Sequence, residues 1–141
     1  VHELHKYFYR NRVSSWIVQQ EEDYRFILLE GEHRGSPWTQ LCVSQADCVL
    51  LTALHESLPS VLDGEQLAVW DAVHDGRLNA RRELVLLHPT TKQGPTPAPR
   101  LTRLWMDQRP GLTLHHHVRL WKVADFERLG RHLAGRAIGL V

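Results

Sequence analysis

Two cysteines in 141 residues exclude a disulfide framework. Cys42 and Cys48 fall on a helical and a strand-like stretch, whereas zinc-binding cysteines come in tighter pairs, so core packing is their expected role. Charge of one sign is missing as well. Lys+Arg number 17 and Asp+Glu 16, a net +1, which gives no bulk field to draw in nucleic acid or an anionic membrane. No apolar run approaches the roughly 18 residues of a membrane helix. The N-terminal stretch is charged throughout, unlike a signal peptide. A reduced, cytoplasmic, soluble domain is the expectation, with no nucleic-acid partner.

Catalytic and nucleotide-binding signatures are absent too. The sequence has no G-x-x-x-x-G-K-[ST], so it lacks the backbone cradle and lysine of a P-loop. It has no G-x-G-x-x-G after a strand, and no G-x-S-x-G to raise a serine above a sheet. No catalytic residue, no cofactor and no metal are therefore assigned.

What is present is globular. Hydrophobic residues make up 43% and charged residues 23%. Five Trp, three Tyr and three Phe supply bulk for a core, with most Trp at core-facing helical positions. Ten His are many for this length, and they bear on sites and pH response more than on net charge.

Periodicity organises the chain. His2 to Glu22 is helical, with Leu4 and Phe8 one turn apart and Val13, Trp16 and Ile17 continuing the stripe. Arg25 to Glu30 is a short continuous apolar run, the look of a strand covered on both faces. Ser36-Pro37 is a helix start, a capping hydroxyl before proline, with Trp38, Leu41 and Cys42 on one face. Ala46 to Ala53 is a second strand. Asp63 to His74 reads as an amphipathic helix with Leu67, Trp70 and Val73 inward. Glu83 to His88 is a third strand, stopped by Pro89, and Pro89 to Arg100 is a proline-rich loop. Leu101 to Met106 is a short helix and Leu112 to Trp121 a weaker strand. Asp125 caps a helix with Phe126, Leu129 and Leu133 as its stripe, Gly135 ends it, and Ala137 to Val141 is a last strand. Alternating strands and helices imply right-handed crossovers. The expected fold is α/β, a Rossmann-like three-layer sandwich with a mainly parallel sheet.

Three features carry candidate chemistry. His55 and His88 follow the carboxyl ends of two expected parallel strands, the edge where open α/β sheets bind ligands, and Glu30 and Glu56 fall at the same edge. The alternative is that polar residues mark strand exits because the chain meets water there. His115, His116 and His117 alternate on a strand, so only two face one way and a metal would need ligands from elsewhere. From Arg109 to Arg136 six cations stand against two acids, a stretch that faces anionic lipid or a partner, or is simply a solvated helix face.

Several segments in order resemble the neuropathy target esterase family of patatin-like lysophospholipases. They are Trp16-Ile-Val-Gln-Gln-Glu-Glu, Ser36-Pro-Trp-Thr, Gln45-Ala-Asp-Cys-Val-Leu and Leu84-Val-Leu-Leu-His-Pro. His115-His-His-Val-Arg, then Asp125 through Val141, is similar to the stretch leading into that family's patatin domain. The resemblance implies a P-loop-NTPase-like accessory domain over residues 1–136, with 137–141 beginning the patatin domain. It implies that the first strand and phosphate turn precede Val1, and that this is a fragment of a longer chain. It also implies a Ser–Asp dyad hydrolysing acyl esters of (lyso)phospholipids, outside residues 1–141, where an oxyanion loop adjoins the nucleophile. The implied neighbours are the adjoining patatin domain and upstream cyclic-nucleotide-binding-like domains, in a membrane-associated parent acting at the cytoplasmic face. The expected function is thus a non-catalytic, regulatory domain of a lysophospholipase. The alternative is an independent small-ligand or nucleotide-binding module that uses His55 and His88.

Overall fold

The structure, a computed structural model, describes residues 2–89 and 102–135, with side chains from Asn11 onward. The chain forms two compact units: Val1–Asp47 with Leu62–Asn79, and Cys48–Val61 with Ala80–Val141. The strand expected over Ala137 to Val141 and nearly all of the proline-rich loop lie outside the described residues.

The first unit is helical. Helix α1 spans His2–Asp23, a run with neither proline nor glycine to interrupt it. Helix α2, Pro37–Gln45, begins as expected: Ser36 is its N-cap and accepts a hydrogen bond from the Thr39 amide at 3.3 Å. Thr39, Leu41, Cys42 and Val43 are its buried face. Burial, only partly opposed by a backbone hydrogen bond, pushes the Cys42 thiol up, as suits an inert core residue.

Arg25 to Glu30 does not form the expected strand. It is irregular, with Phe26 and Leu28 exposed. Its polar groups, and those just after it, go to α2 instead of to a neighbouring strand. Trp38 Nε1 donates to the Glu30 carbonyl at 2.8 Å, while Thr39 Oγ1 accepts from the Glu32 amide at 2.7 Å and donates to its carbonyl at 3.1 Å. The apolar run was legible; that it pairs with no strand among the described residues was not.

Asp63 to His74 is continuous helix, but not regular helix. Helix α3 (Asp63–Glu65) passes through a π segment, Gln66–Trp70, into α4 (Asp71–His74). The wider turn shifts the phase of the buried stripe. Ala68 and Val69 are buried, Leu67 is exposed, and Trp70 and Val73 are only partly covered. At the start of α3, Gly64 lies against the turn at Gly35, and a Cβ there would collide with the His33 carbonyl oxygen. Gly35 itself sits at φ +63°, which favours glycine.

The second unit holds a parallel sheet in the order β1-β2-β3, with β1 Cys48–Leu54, β2 Arg81–His88 and β3 Leu114–Arg119. The register pairs Leu51 with Leu84, Ala53 with Leu86, and Leu86 with His117. On that face Leu84 and Leu86 pack with Trp105 of helix α5 (Thr102–Asp107), flanked by Leu51, Ala53, Met106 and Leu112. The opposite face carries Glu83 and His116 beneath helix α6 (Val123–Leu133), whose His132 reaches Glu83. Helices on both faces explain why β2 reads as an unbroken apolar run. The expected α/β class with a parallel sheet is what forms.

Two expectations about bulk and caps are corrected. Of the five Trp only Trp105 is buried; Trp16 and Trp121 are exposed, while Trp38 and Trp70 send their indole N–H to the Glu30 carbonyl and the Glu65 carboxylate. Amphipathic rings use their polar edge where a partner is near. Asp125 does not cap α6. The N-cap is Lys122, and Asp125 is buried in the first turn, where Arg119 occupies it.

Candidate functional site

The carboxyl edge of the sheet gathers histidines. His55 immediately follows β1, and its amide continues the ladder by donating to the Leu87 carbonyl at 2.9 Å. His88 ends β2, and His117 lies on β3, so a parallel sheet must bring the three side chains to one end. The His55 and His88 rings stack, 4.5 Å between centroids and 27° between planes. His117 stands 5.1 Å from His88 and 6.1 Å from His55. Both sequence candidates are therefore together, and both are buried. Glu56 is exposed beside them, whereas Glu30 lies in the irregular segment and follows no strand.

A hydrogen-bonded line crosses this cluster. His117 Nε2 is 3.1 Å from Thr102 Oγ1, and His117 Nδ1 is 2.8 Å from His88 Nε2. If the Thr102 hydroxyl donates to His117, then His117 donates from Nδ1 to His88. The connectivity is that of a hydroxyl, a base and an orienting group. The electrostatics are not. Burial, then the charges of His88, His115, His55 and His116, push His117 down from 6.5 to about 4. His88 is lowered by burial and by the charges of His55 and Arg119, with Asp125 and Glu56 opposing only in part. His117 is therefore neutral at pH 7. One buried ring atom, His55 Nε2, has no hydrogen-bond partner among the described residues.

A second site lies on the other face, and sequence reasoning missed it. Glu83 is fully buried in β2. Its Oε2 is 2.7 Å from His116 Nε2, and its Oε1 is 3.2 Å from His132 Nε2 and 2.8 Å from Arg81 Nε. Burial alone would raise this carboxyl, but the two imidazole hydrogen bonds and the charges of His132 and Arg81 outweigh it and hold it below its ordinary value. The legible signal was an acid opening an apolar strand, since such an acid needs partners once covered. As alternation requires, His116 faces away from His115 and His117, and its further partners come from β2 and α6.

Part of the basic stretch turns inward. Arg109 is buried, donates to the Pro59 and Ser60 carbonyls at 2.7 and 3.3 Å, and lies 5.0 Å from the Trp105 ring centroid. Arg119 grips Asp125 through Nε at 2.6 Å and Nη2 at 2.9 Å, and its amide joins at 3.1 Å. Arg128 adds a contact at 3.3 Å, and together these hold Asp125 far below the usual carboxylate range.

Comparison with known proteins places this architecture. A family model described as the Neuropathy Target Esterase family P-loop like domain matches residues 2–135. The mouse protein named patatin-like phospholipase domain-containing protein 7 is 33% identical over 98% of this chain, which covers 11% of that relative. Neuropathy target esterase sws of Drosophila persimilis is 33% identical over 92% of the chain, which covers 10% of it. Mouse patatin-like phospholipase domain-containing protein 6 is likewise 33% identical over 92% of the chain. No solved structure matches. The chain thus spans about a tenth of the curated relatives it matches, consistent with a part of a larger multidomain protein. With a parallel α/β sheet and a family model that matches residues 2–135, the chain belongs to the neuropathy target esterase family, as its P-loop-like domain.

Proposed function

We propose that this chain is a non-catalytic, regulatory domain of a patatin-like lysophospholipase whose Ser–Asp dyad lies elsewhere. It would stand between cyclic-nucleotide-binding-like modules and the hydrolase, in a parent that acts on phospholipid at the cytoplasmic face of membranes. Residues 1–136 are assigned to this domain, and 137–141 to the start of the patatin domain. The observation that carries the reading is the electrostatics of Thr102, His117 and His88. A general base working near pH 7 needs a pKa near 7, and the orienting group must stabilise the imidazolium. Here the orienter is a second imidazole, and His117 sits at about 4. The line fixes side chains; it does not activate the hydroxyl. The names of the relatives support the parent's chemistry.

Hydrolysis of lysophosphatidylcholine by residues 1–141 should equal the buffer rate, while a parent chain extending through the patatin domain should turn over. Removing residues 2–135 from that parent should change its rate without abolishing it. Turnover by residues 1–141 alone would sink the proposal.

His55 Nε2 favours a second reading, that the strand-exit edge takes a small ligand. Calorimetric titration with nucleotides and inorganic phosphate separates the two. Heat that disappears in His55→Ala supports a ligand site at this edge, and silence across the panel removes it.

A further inference from the structure

We propose that Glu83, His116 and His132 form a binding site for a divalent transition-metal ion, zinc above all, on the α6 face of the sheet. One carboxylate oxygen and two imidazole nitrogens already lie within 4.8 Å of one another. Tetrahedral zinc ligands at 2.0–2.2 Å from the ion stand about 3.4 Å apart. Small side-chain rotations therefore suffice, because the present contacts to Glu83 are 2.7 and 3.2 Å.

The positions are set by rigid elements. Glu83 is in the central strand, and His116 pairs with Val85, so it stands one step along from Glu83 on the same face. His132 comes from the last turn of α6. Three ligands from three elements leave a fourth tetrahedral position open. Two nitrogens and one oxygen suit zinc and its neighbours rather than calcium or magnesium, which take oxygen.

Arg81 is the competitor, since its Nε also contacts Glu83 Oε1. Its side chain is 44% exposed and lies within reach of the Cys48 thiol, so it can leave the carboxylate without being stranded in the core. The ion replaces the guanidinium at Glu83, and each imidazole binds through Nε2 with its one retained proton on Nδ1, any second proton it carries leaving to solvent. The sheet's other histidines are separate: His115 and His117 face the opposite way.

The test titrates residues 1–141 with zinc chloride by calorimetry, and with cobalt(II) by visible absorption, which is intense for tetrahedral cobalt and weak for octahedral. One ion per chain with a tetrahedral cobalt spectrum is expected. His132→Ala, a partly exposed helix position, should weaken zinc binding about 10–100-fold or more, and His116→Ala likewise. His115→Ala, one residue away but on the other face, should leave it unchanged. Absence of binding overturns the proposal. So does binding that survives His132→Ala, including binding lost instead in His88→Ala, which would move the ion to the carboxyl edge.

Discussion

At the scale of single residues, neutral imidazoles in a buried cluster make the fold sensitive to acid. His117 falls from 6.5 to about 4 on folding, so between those values the unfolded chain binds a proton that the folded chain refuses. Stability from this group is therefore constant above about pH 6.5, declines as the pH drops toward 4 and then levels. His88 shifts in the same direction and steepens the decline, with His55, His115 and His116 as the neighbouring like charges and Glu56, Arg119 and Asp125 at the rim. Asp125 acts in the same direction, but at lower pH. Its depressed carboxyl contributes stability at every pH above the ordinary carboxylate range and loses it only in strong acid. Urea midpoints measured from pH 7.5 to 4.5 should fall for the native sequence and fall less for His117→Gln. Equal slopes in the two proteins would show that His117 does not carry the effect.

At the scale of elements, two glycines on helices have opposite roles. Gly64 opens α3 against the His33 carbonyl, so Gly64→Ala forces backbone apart and should cost about 1–3 kcal/mol. Gly130, within α6, would meet nothing within 4 Å on gaining a Cβ. Gly130→Ala should add about 0.4–1 kcal/mol by restricting the unfolded chain. Equilibrium urea unfolding reads both, and a stabilised Gly64→Ala would refute the close approach. These elements also show what a sequence can and cannot disclose. β2, the α2 cap and the carboxyl-edge position of His55 and His88 were legible, because each follows from local composition or strand direction. The π segment was not, since the run from Leu67 to Val73 satisfies an α-helical stripe and only packing reveals the extra residue. Nor was the Glu83 site, which joins a strand residue, a neighbouring strand and a helix that are far apart in the chain. Arg25 to Glu30 misled because apolar runs report burial potential, while a strand needs a partner.

At the scale of the molecule, the question is whether the cationic stretch from Arg109 to Arg136 works as a surface. Two of its cations are committed within the second unit, Arg109 inside it and Arg119 clamped on Asp125, while Arg128 touches Asp125 from an exposed position. A polybasic contact gains about 1 kcal/mol per Lys or Arg near an anionic surface, and the attraction is screened beyond roughly 8 Å at physiological salt. Even with Arg128, Lys122 and Arg131, the remaining described cations of that stretch, supply too little for stable attachment, and the net charge of the chain is only +1. No helix among the described residues is long and apolar enough to cross a membrane. Residues 1–141 should therefore stay in the supernatant with phosphatidylserine-containing vesicles at 0.15 M salt. Pelleting that persists at this salt and is lost in Lys122→Ala/Arg131→Ala would restore the basic stretch as a membrane contact.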